Sequence, residues 1–314
     1  MKTVLLIGGG GTLGTHTAAE LLRLGCRVDI LCPEEKVSTD ERLTFYRGYA
    51  TVESLTAHFE ARRYDGIVNF LHYPDVTKYP PYHELLMKHT DHLIVLSSYR
   101  TYADLQHPVT ETAPHLIDVS TDETFLQTEQ YAVSKGRLER YLNDACKGQP
   151  WTVVRPVISF SQYRLDLITY SGHTLIDKVR AGEVIPLPIE AKDRTAGLDW
   201  AGNSGKLIAH LLFKPETYGE AYTVSSAQNL TWGEVADLYA ELLGAAFRWV
   251  PLKEYLHATD WFNYYALIYD RHFDRRIDNT KILKATGLTD ADFLPLRDAL
   301  RREIDAVKGT EEKQ

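Results

Sequence analysis

The chain has 314 residues, 44% of them hydrophobic and 25% charged, with 20 Gly and 13 Pro, which excludes the disordered, fibrous and collagen-like classes. Its 35 Lys and Arg against 43 Asp and Glu leave a net charge of -8, which argues against a partner such as nucleic acid, whose phosphates call for a basic surface. Three cysteines, Cys26, Cys32 and Cys146, show no Cys-x-x-Cys spacing and fit a reducing cytoplasm without disulfides or structural zinc.

In chain order, Thr3–Ile7 reads as a first strand. Its apolar run is too short for a signal peptide, and no run approaches the roughly 20 residues that cross a bilayer, so a cytoplasmic protein without membrane contact is expected. A glycine-rich turn follows, then a helix over about 14–24 with Ala18, Leu21 and Leu22 on one face and Gly25 at its end. Further strands are predicted at Arg27–Leu31, Leu43–Tyr46, Gly66–Phe70, Leu93–Leu96 and Thr152–Val154, with a helix over about 52–61. This alternation predicts an α/β fold, a Rossmann-like doubly wound parallel sheet. Beyond about residue 158 the alternation loosens. Helices are expected at Thr174–Ala181, Trp200–Phe213, Thr231–Leu243, Thr280–Thr286 and Leu296–Val307, and short strands at Val184–Leu187, Ala221–Val224 and Arg248–Val250. The expected division is a dinucleotide-binding domain over 1–158 and a smaller, mixed C-terminal substrate lobe over 159–314, of which about 197–226 returns to the first sheet.

Gly8-Gly9-Gly10-Gly11-Thr12-Leu13-Gly14 lies between the first strand and first helix, with Gly8, Gly11 and Gly14 as the spaced positions. Glycine permits the tight turn, the approach of a pyrophosphate to the backbone and close helix–strand packing, while the helix N-terminus offers free N–H groups. Gly8, Gly11, Thr12, Leu13 and Gly14 are therefore candidate cofactor ligands. About 20 residues on, where an acidic residue selects NAD and an arginine NADP, stands Cys32, followed by Glu34 and Glu35. Either NAD or NADP is possible there, and the glutamates lean the reading to NAD.

Tyr131 and Lys135 stand at i and i+4 of a helix expected over Tyr131–Cys146, on one face. A phenol titrates at about 10, and a neighbouring ammonium favours its charged form, so the pair is an acid/base device.

These motifs resemble the extended short-chain dehydrogenases/reductases, in particular the NAD-dependent epimerase/dehydratase branch acting on nucleotide sugars. Val4–Gly14 is similar to the family's opening strand and fingerprint, Leu93–Tyr102 to its fifth strand, and Thr110–Pro114 to its acidic-proline segment. Tyr131–Lys135 matches the catalytic pair, and Val153-Val154-Arg155-Pro156 the next strand. Gly219–Thr231 and Asp278–Gly287 resemble C-terminal landmarks. The resemblance implies Ser98 as the catalytic hydroxyl, with Ser97 its substitute if the register slips by one. It implies Tyr131 as the proton carrier and Lys135 as the group that lowers its pKa and binds the cofactor ribose. It also implies Arg194 as a ligand of the substrate diphosphate and Arg275 or Arg276 as a second one. Ser98 and Tyr131 would touch substrate.

The chain departs from the family in places. Tyr49 replaces the adenine-contacting Asp, no Asn lies between Asn69 and Asn143, and proline-rich His72–Met87 replaces a long helix that usually supports a dimer. A homodimer is nonetheless among the expectations. Ser120-Thr121-Asp122-Glu123 is similar to a dehydratase motif but lies only eight residues before Tyr131, so Asp122 and Glu123 are read as a solvated turn or helix start. His83, His89 and His92 lack the carboxylate or cysteine of a metal cluster, and no metal is expected. Trp261, Phe262, Tyr264, Tyr265 and Tyr269 read as packing residues, some of which could stack on a base or sugar.

The expected activity is therefore an NAD(P)-dependent oxidoreductase, an epimerase of a nucleotide sugar. A ketone or aldehyde reductase on the same scaffold, and a non-catalytic dinucleotide-binding protein like the RNA-associated relatives of epimerases, are the alternatives.

Overall fold

Val4-Leu5-Leu6-Ile7 is apolar at every position because its strand is covered on both faces. The structure, a computed structural model, describes residues 1–128, 131–162, 164–258 and 264–311. Six strands of the first half, β1 (Thr3–Ile7), β2 (Arg27–Cys32), β3 (Leu43–Arg47), β4 (Gly66–Asn69), β5 (Leu93–Leu96) and β6 (Trp151–Pro156), form a seven-stranded sheet with Glu220–Val224. The order is Glu220–Val224, β6, β5, β4, β1, β2, β3, and every pairing is parallel. Chain order reverses between β1 and β4, and it is outside the carboxyl ends of strands at such a point that open α/β sheets bind ligands.

The strand alternation sorts side chains between two layers. Val4 and Leu6 pack with Ala18 and Leu21 of helix α1 (Thr12–Arg23) and with Leu207, Ile208 and Leu211 of helix Ala201–Leu211. Leu5 and Ile7 face the opposite layer. There α2 (Val52–Phe59) contributes Leu55 and Phe59, α3 (Pro80–Lys88) Leu86, and the helix Tyr131–Ala145 Leu138 and Leu142. In α3, Pro80 and Pro81 occupy the first turn, where a missing N–H leaves no bond unmade; the helix has nine residues.

The second half supplies a separate apolar cluster around Trp232, Tyr239, Leu300 and Ile304. Two parallel pairs, Val184–Pro188 with Ala246–Val250 and Ile158–Phe160 with Leu198–Trp200, border it. The second pair was not expected from the sequence, and Trp200 belongs to a strand rather than to the helix that follows. Three residues are too few to display a period.

Gly14 fixes the distance between α1 and the preceding turn. A Cβ there would lie 2.3 Å from the Cα of Gly9, whereas one at Gly11 would meet nothing within 4 Å. Backbone cannot yield as a side chain does, so Gly14→Ala is expected to cost about 3 kcal/mol, at the top of the range for overpacking. Gly11→Ala should stay within about 1 kcal/mol, the cost of a poorer helix N-cap. Urea unfolding of both variants checks this, and equal losses would refute the steric account.

Candidate active site

The turn after β1 bends through Gly8, whose φ of 71° is costly for any residue with a Cβ. The Gly8 N–H donates to the Leu31 carbonyl at 2.8 Å, pinning the turn to β2. Helix α1 then begins at Thr12 with neither a side-chain cap nor an acidic residue in its first turn. Its first N–H groups and partial positive charge remain available for an anion. Gly8, Gly11, Thr12, Leu13 and Gly14 all border a cleft of about 520 Å³.

Cys32 ends β2, but strand alternation turns its thiol into the core beside Val28 and Ile30, and it does not border the cleft. The polar groups at this edge come from the next residues. The Glu34 carboxylate lies beside Gly10, 2.6 Å from where a Cβ would stand, and Lys36 Nζ donates to the Gly10 carbonyl at 2.5 Å.

On the other side of the cleft, the short helices α4 (Leu116–Val119) and α5 (Glu123–Gln127) lead toward α6 (Tyr131–Ala145). Tyr131, Lys135 and Glu139 recur every four residues on one face of α6. Glu139 is held by the Arg155 fork, with Nε at 3.1 and 3.0 Å and Nη2 at 2.5 Å, and it accepts from the Ser97 hydroxyl. Ser97 is thus consumed inside the fold. Ser98 starts the turn Tyr99–Thr101, accepts from the Arg100 N–H at 3.2 Å and shares a hydrogen bond with Tyr131. The structure therefore brings Ser98, rather than Ser97, to Tyr131 at the cleft.

Lys135 is 1% exposed, and its Nζ donates to the carbonyls of Leu71 (3.2 Å) and Leu96 (2.5 Å). Burial lowers its pKa to about 7, with the Glu139 carboxylate opposing. The ammonium lies 5.5 Å from the centre of the Tyr131 ring. Burial raises the Tyr131 phenol above its ordinary value, and Arg100, Arg164 and the Ser98 hydroxyl pull it back. His72 packs on Tyr131 at 4.8 Å between ring centres and bonds the Ser134 hydroxyl at 2.8 Å.

The arginines of the cleft are not those expected from the sequence. Arg194 is exposed and away from it. Arg275 is buried, its fork spent on Asp270 (2.6 Å) and the carbonyls of Tyr102 (2.7 Å) and Tyr269 (2.9 Å), which leaves it closed to a diphosphate. Arg276 does not border the cleft either. Arg100, Arg164 and Arg271 do. Arg100, two residues beyond Ser98, was the one detectable signal in the sequence; the others arrive through tertiary folding.

The remaining candidates are structural. Asp122 caps α5 by accepting from the Phe125 N–H at 2.9 Å and takes the Tyr269 hydroxyl at 2.6 Å. His83 bonds Gln149 and His92 bonds Thr152, while His89 stacks on Phe59. Among the described residues no group of three His, Cys, Asp or Glu could hold a metal ion, and no helix is long and apolar enough to cross a membrane. Trp261 and Phe262 lie outside the described residues, and Tyr265 and Tyr269 pack around Phe125.

A parallel sheet in this order, with a glycine turn and helix start at its carboxyl edge opposite Ser98 and Tyr131, is a Rossmann-like α/β fold. No family model matches the chain. It is 28% identical over 182 residues to a UDP-glucose 4-epimerase of Neisseria meningitidis, covering 49% of this chain and 51% of the relative. The chain thus aligns with about half the length of such curated relatives. An FAD-dependent monooxygenase of Fusarium mangiferae is 25% identical over 146 residues, covering 45% of this chain and 39% of that one. Among solved structures, an epimerase from Methanothermobacter thermautotrophicus superposes with a TM-score of 0.74 at 17% identity, covering 99% of this chain and 93% of its own. A UDP-glucose 4-epimerase from Stenotrophomonas maltophila, with bound NAD and formylated UDP-arabinopyranose, gives 0.70 at 16%, covering 100% and 99%. The chain thus shares the fold of these epimerases over its whole length and resembles UDP-glucose 4-epimerases in sequence over about half of it.

The Lys135 environment has a consequence for stability. Between about pH 7 and the ordinary lysine value of 10.5, the unfolded chain holds a proton that the folded chain has lost, so stability rises with pH. Below about 7 both states are protonated, and the cost of burying the charge is at its full size. Relative to Lys135→Met, wild-type stability should therefore climb from pH 7 toward 10 by up to about 1.4 kcal/mol per unit. Paired unfolding curves across that range test it. A flat difference would mean that Lys135 titrates as an ordinary lysine.

Proposed function

We propose that the protein is an NAD-dependent enzyme that oxidises and re-reduces a carbon of a nucleotide sugar, most simply as an epimerase. The observation that carries this reading is the meeting of Ser98 and Tyr131 in the cleft that the glycine turn and α1 also border, with Lys135 buried behind the Tyr131 ring. The close approach of Gly14 to Gly9 and the uncapped start of α1 fit the diphosphate of a dinucleotide. When bound, the nicotinamide supplies a reversible hydride acceptor.

Ser98 binds and orients the substrate hydroxyl. Tyr131 takes its proton as the carbon is oxidised and returns it on reduction. The Arg100 and Arg164 charges favour the phenolate that burial disfavours. Lys135, held between two carbonyls, supplies a third cation at the ring and a donor to the cofactor ribose. Of the two dinucleotides, NAD is supported by Glu34 at Gly10, since a carboxylate at that edge accepts from a ribose hydroxyl and repels a 2′-phosphate. Lys36 is the opposing charge there. The bound NAD and UDP-sugar of the Stenotrophomonas structure support both halves of the reading.

A ketone or aldehyde reductase would use the same three residues but release its nicotinamide at each turnover. Mass spectrometry of the small molecules that co-purify with the protein separates the two readings: an epimerase retains NAD. Tyr131→Phe is expected to lower kcat by about 10²- to 10⁴-fold, the usual worth of a positioned acid/base, with dinucleotide affinity changed little. Full turnover in that variant would remove Tyr131 from proton transfer.

A further inference from the structure

The charges beside Tyr131 do not balance. Asp270 is completely buried, and four donors converge on it. Tyr99 and Arg275 each approach Oδ1 at 2.6 Å; Arg100 Nε, at 3.3 Å, and Arg271 Nη1 approach Oδ2. Asp166, also buried, pairs with Arg164 Nε at 2.6 Å, and burial raises its pKa, weakening its hold on a negative charge. Four guanidinium groups thus share two carboxylates within ion-pair distance. Uncompensated charge away from water is costly, and here the surplus is aimed at one place. Arg100, Arg164 and Arg271 border the cleft, whereas Arg275 does not. Arg271 is 8% exposed, and burial lowers its pKa to about 10.

Position narrows what the surplus can bind. Arg100 lies on the same short turn as Ser98, and its guanidinium carbon is 5.5 Å from the centre of the Tyr131 ring. An anion held by Arg100 is therefore next to the hydroxyl that Ser98 and Tyr131 engage, not at a distant part of the ligand. The α1 terminus, the other anion-binding feature of the cleft, serves the cofactor. Planar guanidinium forks match carboxylates, which they bind through paired, charge-assisted hydrogen bonds.

We propose that the substrate carries a carboxylate on the same sugar unit whose hydroxyl meets Ser98 and Tyr131, and that Arg100 and Arg271 bind it, with Arg164 at the rim. This rests on the nucleotide-sugar reading above and narrows it to acidic sugars.

The test compares UDP-glucuronate with UDP-glucose, which differ by a carboxylate in place of a hydroxymethyl group. Both are titrated calorimetrically into the NAD-loaded protein, and both are assayed for conversion to an epimer. The acidic sugar should bind at least about tenfold more tightly, the scale of one or two hydrogen bonds to a charged group. Arg100→Met should cut that ratio below about threefold, and Arg100→Lys should keep part of it. Arg164→Met, in a half-exposed side chain, serves where the buried substitutions do not fold, and should lower the ratio by a smaller factor. Equal or tighter binding of UDP-glucose overturns the proposal. So does an unchanged ratio in all the variants, or a loss of NAD affinity by the same factor, which would assign the arginines to the cofactor. If UDP-glucose alone binds and is epimerised, the carboxylate falls and the nucleotide-sugar reading stands. If neither sugar nucleotide binds, both fall.

Discussion

The site depends first on the buried pair of Glu139 and Arg155. Neither is more than 5% exposed at its side chain, and a buried pair of this kind persists only where its hydrogen-bonding capacity is filled. Here it is. The Arg155 fork also donates to the Tyr102 hydroxyl (2.8 Å) and the Glu111 carbonyl (3.0 Å), and Glu139 accepts from Ser97. Burial works to raise the Glu139 pKa, and Arg155 overrides it, holding the carboxyl below its ordinary range. One ion pair thereby ties α6, β6, the end of β5 and the loop through Tyr102 and Glu111. Tyr131 lies two turns before Glu139 on the same face, so fixing the carboxylate also fixes where the phenol stands.

The same pair explains why adjacent serines have different roles. Along an extended chain successive side chains point to opposite sides. With Ser97 committed to Glu139, the hydroxyl of Ser98 must emerge at the cleft. A charge cluster with filled valences acts as a joint. The cluster around Asp270 differs in kind, because its three arginines outnumber their one acidic partner and two of them, Arg100 and Arg271, border open space. The first cluster sets geometry, whereas the second has interactions left to make.

Legibility in the sequence followed the range of the interactions. The glycine turn, the strands β1 to β6 and the Tyr131–Lys135 spacing are local, since each is decided by residues within about one helical turn or strand of each other. They read correctly to within a residue or two. Cys32 was found at the right place, the end of β2, but alternation from Val28 and Ile30 carries its thiol into the core. The polar contacts pass to Glu34 and Lys36. The arginines do not follow from family position, which points to Arg194 and Arg275, because the groups lining the cleft come from residues 100, 164 and 271. No spacing in a sequence announces a meeting of three segments so far apart. Asp270 gathers Arg100 and Arg271, while Arg164 is held by Asp166, and as a lone acidic residue near an aromatic stretch Asp270 offers no pattern.

The arrangement also accounts for how a chain of net charge -8 can present a cationic cleft. Lys135 has Glu139 one turn away, yet that carboxylate is already saturated by Arg155, and the ammonium is left with two backbone carbonyls. Burial lowers its pKa to about 7, against the pull of the Glu139 carboxylate. Sharing the nearby carboxylates among several donors, Glu139 with Arg155 and Asp270 with Arg100, Arg271 and Arg275, rather than adding basic groups, is what creates the local field. In a low-dielectric cleft such incompletely compensated cations act on a phenol far more strongly than surface charges screened by water do. The overall acidity of the surface is then no obstacle, because the screened exterior and the desolvated cleft scarcely interact. An anion in the cleft meets Arg100, Arg164 and Arg271 directly, whereas buried Lys135 acts on it only through the Tyr131 ring that lies between.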